Sequence, residues 1–214
     1  MWYSPPPFEE TRLPVLHELI RRHPFGALVV VAGGELAAVH IPFLLHPGPG
    51  GLGTLHGHVA RANPVWKHCG GAAEALAIFQ GPEAYITPSW YPGKQTDGRV
   101  VPTWNYAIVH VHGSPRAITE PSWLEEHVSQ LSAAQEAGQP KPWQVSDAPP
   151  EYIARLIHGI VGIEIPISKI EGKWKLSQNH SRADQLAVAA GLESEGTEDA
   201  RAMAELMRQR MKKP

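Results

Sequence analysis

Gly26-Ala-Leu-Val-Val-Val-Ala32, then Gly33-Gly34, then the apolar run from Leu36 to Leu45, is the stretch whose reading decides the fold. Two apolar, largely β-branched runs flank a diglycine that accepts the positive φ angles of a tight hairpin turn, which predicts a pair of antiparallel strands. Working outward, the Pro/Gly stretch from His46 to Gly53 turns the chain, and Thr54 to Val59 reads as a third strand. Ala60 to Cys69 reads as a short helix or loop. Ala75 to Gln80 and Ala84 to Thr87 read as strands split by Gly81-Pro82, residues 88–100 as a long loop, and residues 102–118 as one long, bent strand. Several short strands at these spacings predict a barrel or a sandwich. Upstream, Leu13, Leu16 and Ile20 share one helical face, with Thr11 as N-cap, and His23-Pro24 ends the segment. Downstream, helices are expected over residues 121–137, 151–158, 181–190 (stopping at Gly191) and 197–211, with a buried strand over residues 160–170. The sum is one β-rich domain with helical decoration.

Composition narrows the function. The 214 residues carry 19 Lys+Arg against 21 Asp+Glu, a net charge of −2, which argues against a polyanion binder driven by bulk positive charge. The single cysteine, Cys69, excludes a disulfide scaffold and a multi-Cys zinc site. The N-terminal residues have no basic and apolar leader pattern, and no apolar run approaches the ~20 residues of a membrane span, so a cytoplasmic protein with no membrane partner is expected. The excesses are 12 His and 7 Trp.

Several strings carry chemistry. Gly48-x-Gly50-x-x-Gly53 matches a dinucleotide fingerprint as text, but a strand follows it where a helix is required, so it reads as a loop. His56-Gly57-His58 and His110-Val111-His112 each put two imidazoles on one strand face. Gly50 to His56 fits the spacing of one β-barrel metal motif. Its carboxylate is missing, with Ala62 and Asn63 in its place, so no metal ligands are assigned. A strand then ends in a turn holding Arg61, Asn63 and Lys67. Guanidinium, amide and turn N–H groups are the equipment for holding a phosphate, with Asn63 and Pro64 opening a short helix. Trp90, Tyr91, Thr103, Trp104 and Asn105 could line a planar heteroaromatic ligand, or an interface, or both. Lys173 to Asn179 is dense in hydrogen-bond donors. No Gly-x-Ser-x-Gly elbow and no P-loop occurs, and catalytic residues are not assigned.

Taken together, Phe8-Glu9-Glu10-Thr11, His23-Pro24-Phe25-Gly26, Gly57-His58-Val59-Ala60-Arg61-Ala62-Asn63-Pro64, Gln80-Gly81-Pro82-x-Ala84-Tyr85-Ile86-x-Pro88-Ser89-Trp90-Tyr91, Val101-Pro102-Thr103-Trp104-Asn105-Tyr106 and Gly172-Lys173-Trp174-Lys175-Leu176-Ser177-Gln178-Asn179 resemble the PaiB-type family of FMN-binding negative transcriptional regulators. The resemblance spans residues 1–190, and residues 191–214 lie outside it as a helical tail. It implies an α+β fold, mainly β with α decoration: a split β-barrel of the FMN-binding, pyridoxamine-phosphate-oxidase-like type. It also implies a homodimer that holds FMN between subunits. The candidate cofactor-binding residues are then His58, Arg61, Asn63 and Lys67 on the phosphate side. Trp90, Tyr91, Thr103, Trp104 and Asn105 lie near the rings, and Lys175, Gln178 and Asn179 come from the C-terminal motif, which can reach the site from the partner subunit. A regulator or flavin-dependent sensor is the first expectation. A flavin-dependent oxidoreductase is the alternative, and a histidine-based metal or haem protein a second one. A DNA or protein partner is a further expectation, though direct DNA contact has little support, because no helix-turn-helix is evident and the net charge is −2.

Overall fold

Strand order follows from where hydrogen-bonding edges are left open or blocked. The computed structural model describes residues 3–48, 51–70, 73–95 and 98–212. Strand β1 (Glu9–Glu10) and helix α1 (Leu13–Arg22) open the chain, followed by β2 (Phe25–Ala32), β3 (Glu35–Pro42), β4 (Leu44–His46), β5 (Thr54–Ala60), β6 (Ala75–Ile86), β7 (Thr103–Gly113) and β8 (Arg116–Ile118). Helices α2 (Pro121–Glu136) and α3 (Pro150–His158), strand β9 (Ile160–Lys175), and helices α4 (Arg182–Glu195) and α5 (Glu198–Met211) complete it. Hydrogen-bonded neighbours run β3-β2-β6-β7-β9-β5-β4, with β1 and β8 also on β9, and β2 with β3 and β6, β5 with β4 and β9, and β1 and β8 with β9 all pair antiparallel. Among the described residues no helix is long and apolar enough to cross a membrane.

The chain divides into two compact units: residues 1–19, 80–109 and 171–214 form the first, and residues 20–79 and 110–170 the second. In the second, β2 and β3 pair from Phe25–Pro42 to Ala32–Glu35 around Gly33 and Gly34, whose φ values of 61° and 90° suit a diglycine turn. Leu28 and Val30 face its core, with Phe43 meeting Phe79 edge-to-face at 5.5 Å. In the first unit, α4 and α5 form a helical hairpin whose inner faces are Val188, Ala189 and Leu192 against Ala200, Met203, Ala204 and Met207. Thr197 caps α5 through Ala200 N, and Glu193 pairs with Arg208 at 2.5 Å.

Six element expectations change. The run 36–45 is split into β3 and β4, because Pro42 has no N–H for a ladder and the Phe43 N–H turns to Pro24 O at 2.9 Å. Gly81-Pro82 does not interrupt β6. A Cβ at Gly81 would lie 2.9 Å from Leu19 Cδ1, so this glycine serves close packing, not a turn. The bent strand over 102–118 is two strands, β7 and β8, and the strand begun at Ile160 runs on to Lys175. Helix α4 does not stop at Gly191. The Trp90 indole lies where a Cβ would sit, 2.4 Å away, and the helix ends instead at Gly196 with φ +77°. Thr11 does not cap α1; Arg12 O accepts from Val15 N and Leu16 N. The Gly50 position of the fingerprint string lies outside the described residues.

Candidate functional site

In the second unit, β4 and β5 pair as Leu44–His56, Leu45–Leu55 and His46–Thr54. Continuing that register would set Pro42 against His58 and His40 against Ala60. Among the described residues the ladder stops instead, and β3 pairs with β2 alone. Two strand edges diverge and leave a cleft of about 620 Å³ lined by Ala38, Val39, His40, Ile41, His58, Val59, Ala60, Asn63 and Ile160. Unpaired strand edges supply backbone donors and acceptors, and His40, His58 and Asn63 add polar side chains.

The turn that carries Arg61, Asn63 and Lys67 sits at the β5 end of this cleft. Asn63 Oδ1 accepts from Val65 N at 3.1 Å and caps a single 3-10 turn. Arg61 is exposed, yet pinned: its Nε donates to His158 O at 2.8 Å and its Nη2 to Ile160 O at 3.0 Å. These are the last carbonyls of α3 and the first of β9, a favourable place for a cation. A guanidinium has five N–H donors, so three remain for an anion. Lys67 is exposed, with Nζ 5.8 Å from the Trp66 ring centroid. Cys69 donates to Val65 O at 3.6 Å, and burial pushes its thiol up to about 11, which marks an inert thiol.

His56 and His58 do share a face, opposite buried Leu55, Gly57 and Val59. What they face was not legible. His56 lies across from Glu164, which lies across from Arg116, and the three side chains form one polar row, with Arg116 paired to Glu164 and His56 Nε2 3.2 Å from Glu164. His46 packs on His56 at 4.1 Å between centroids. One row further, Gly162 stands opposite His58, and Trp123 of α2 fills the space a side chain there would take. One turn along α2, His127 stacks on Trp123 at 5.2 Å and 18°, and its Nε2 lies 3.0 Å from His58 Nδ1. Burial pushes the His58 pKa down. It does the same for His56, with His46 adding to the effect and Glu164 opposing it. His127 falls to about 3, first through burial and then through the other three imidazoles. Among the described residues no group of three or more His, Cys, Asp or Glu side chains is arranged to hold a metal ion. Sequence reasoning missed Trp123, His127, His46, Glu164 and Arg116. The available signal was Trp123 and His127 four residues apart on one helical face.

The remaining expected site residues lie in the first unit. Trp104 is 51% exposed and meets Tyr85 edge-on at 5.9 Å, while Lys175 Nζ donates to Thr103 Oγ1. Trp90 is half-buried against Gly191, and Asn179 is exposed. Tyr91 is buried and stacks on His180 at 4.7 Å. Asn105 is fully buried, with its amide donating to Ser177 Oγ at 3.0 Å and Ser177 donating back at 3.2 Å. Gln178 accepts from Leu176 N and donates to Trp174 O and Pro7 O. Asn105 and Gln178 therefore spend their hydrogen bonds inside the unit, whereas Trp104, Thr103, Lys175 and Asn179 stand at its surface.

The antiparallel nine-stranded sheet with its helical decoration is an α+β fold of the split-barrel type that the solved structures below share. Residues 2–169 match the family described as "Putative FMN-binding domain". The protease synthase and sporulation protein PAI 2 of Bacillus subtilis is 31% identical over 99% of both chains. The chain belongs to this FMN-binding, PaiB-type family. An uncharacterized protein of Emericella nidulans is 34% identical over 94% of each chain. Among solved structures, the FAD and heme binding protein of Mycobacterium smegmatis shares the fold with a TM-score of 0.59 at 13% identity, over 84% of this chain and 78% of that one. The flavocytochrome Anf3 of Azotobacter vinelandii does so at 0.55 and 10%, over 78% and 69%.

Proposed function

We propose that this chain binds FMN as a homodimer and acts as a flavin-dependent regulator or sensor. The observation that carries the reading is the opened β3/β5 seam with Arg61, Asn63 and His58 beside it in a chain of the FMN-binding family. Arg61 and Lys67 supply positive charge for the phosphate, and His58 and Asn63 supply neutral polar contacts. Trp90, Thr103, Trp104, Lys175 and Asn179 form the ring-side set, contributed by the other subunit of the dimer, with Tyr91, Asn105 and Gln178 holding that set in shape. FMN, when bound, supplies one- or two-electron redox chemistry. The residues place it and set its surroundings.

A dimer is favoured by the outward face of the β2–β3 hairpin. Phe25 (66% exposed), Val31 (49%) and Leu36 (78%) lie there, with Val31 and Leu36 directly opposed. Such a stripe is costly to leave in water and fits a second copy of itself. The regulatory role rests on the relation to PAI 2 of Bacillus subtilis. We place the protein in the cytoplasm.

The test is the visible spectrum of the purified protein, repeated after loading with FMN and washing. A retained flavin spectrum that is released as free FMN on denaturation supports the reading. A protein that cannot be loaded refutes it. Turnover with a nicotinamide nucleotide would favour an oxidoreductase, and a gel shift at defined salt tests DNA contact.

A further inference from the structure

His58 lines the cleft, and one of its two ring nitrogens is already engaged. Its Nδ1 lies 3.0 Å from His127 Nε2, so the nitrogen left for anything in the cleft is Nε2. Which proton arrangement this pair adopts decides whether the cleft meets a donor or an acceptor.

Two neutral arrangements are possible. In one, His127 Nε2–H donates to His58 Nδ1, His127 Nδ1 is a bare lone pair, and His58 carries its proton on Nε2. In the other, His58 Nδ1–H donates to His127 Nε2, and His127 must then carry its own proton on Nδ1. His127 is 2% exposed and its Nδ1 is buried with no hydrogen-bond partner. Its ring stacks on Trp123 at 18°, so an in-plane N–H would not reach the indole face. The second arrangement therefore buries an unmet N–H donor, the rarer and costlier orphan. It also needs the intrinsically less favoured Nδ1–H tautomer on both rings. The first avoids both costs.

We propose that His127 is a positioning residue that locks His58 in its Nε2–H tautomer, so that the cleft presents a neutral donor and selects an oxyanion such as a phosphate monoester. The lock stays neutral, because burial keeps both rings from taking up a proton near neutral pH. It deepens the phosphate-side reading above and rests on it only for the identity of the ligand. The donor itself is a property of the free protein.

The experiment reads the tautomer directly by long-range proton–nitrogen NMR of the ¹⁵N-histidine-labelled, ligand-free protein at pH 7.5. His58 is expected as Nε2–H with Nδ1 as acceptor, and inorganic phosphate is expected to shift the Nε2 signal. His127→Phe should release the fixed tautomer and weaken phosphate and FMN about threefold to tenfold, the worth of one neutral hydrogen bond. His127→Gln, which offers an amide N–H near the position of Nε2, should restore both. Finding His58 as Nδ1–H overturns the proposal, whether or not the variants fold. An unchanged tautomer and affinity in His127→Phe removes His127 from the role. A phosphate response at His58 without FMN binding would remove the flavin reading and leave this one standing.

Discussion

Replacing His127 by Phe should remove a measurable part of the acid sensitivity of this fold. Phe keeps a ring stacked on Trp123 but cannot take up a proton. In the folded chain His127 titrates at about 3, and in the unfolded chain at the ordinary histidine value near 6.5. A histidine whose folded pKa is depressed contributes stability that is complete above the unfolded value. That stability falls away as pH drops towards the folded value, because the unfolded chain binds the extra proton first. Between pH 7.5 and pH 4.5 the two pKa values give a loss of about 2.7 kcal/mol from this side chain, close to 1.4 kcal/mol per pH unit below pH 6. His56 and His58, also depressed, add to the slope in both proteins. The assay is urea unfolding of wild type and His127→Phe at pH 7.5, 6.0, 5.0 and 4.5, followed by far-UV circular dichroism. At pH 7.5 the variant should be the less stable by about 1 kcal/mol for the lost hydrogen bond. The difference should shrink and then reverse as pH falls. Parallel curves, with a constant gap at every pH, would refute the reasoning.

Other perturbations test other parts of the structure. Arg61→Ala should weaken FMN by about 1.5–3 kcal/mol more than riboflavin, since the charge-assisted bonds it would make go to the phosphate alone; the lost bonds to His158 O and Ile160 O affect both ligands alike, and equal losses in calorimetry would remove Arg61 from the role. Gly191→Ala gains about 1 kcal/mol of helix propensity, but its methyl would meet the Trp90 indole at 2.4 Å, so a net loss of about 1–3 kcal/mol and a changed near-UV spectrum are expected. Ser177 has φ +60° and hydrogen-bonds buried Asn105, so Ser177→Ala should cost about 2–3 kcal/mol in thermal or urea unfolding, and Ser177→Gly about 1 kcal/mol less, because glycine relieves the left-handed backbone. Leu36→Glu should convert a dimer to monomers in light scattering at micromolar concentration while leaving the circular dichroism unchanged; an unaltered dimer would move the interface elsewhere.

The β2–β3 hairpin, the Asn63 cap and the alternating face of β5 were legible because each is a local matter of period, turn chemistry or capping. Gly81 and Gly191 were not, since a string cannot distinguish a glycine that bends the backbone from one that admits a neighbouring side chain. At Gly81 the neighbour is Leu19, and at Gly191 it is Trp90. The imidazole cluster shows the same limit in the site. His56 and His58 could be placed on one face, but the ring that sets the state of His58 arrives from α2, 69 positions along the chain. The donor-dense Lys173–Asn179 motif carries both kinds of meaning at once. Gln178 spends its amide on Trp174, Leu176 and Pro7, and Ser177 is closed onto Asn105, while Asn179 faces water. A polar side chain can serve a ligand only if folding leaves one of its hydrogen-bonding groups unspent at a surface. By that criterion Arg61, with two of its five N–H groups spent on His158 O and Ile160 O, and His58, with one ring nitrogen spent on His127, keep hydrogen-bonding capacity that Asn105 and Gln178 do not.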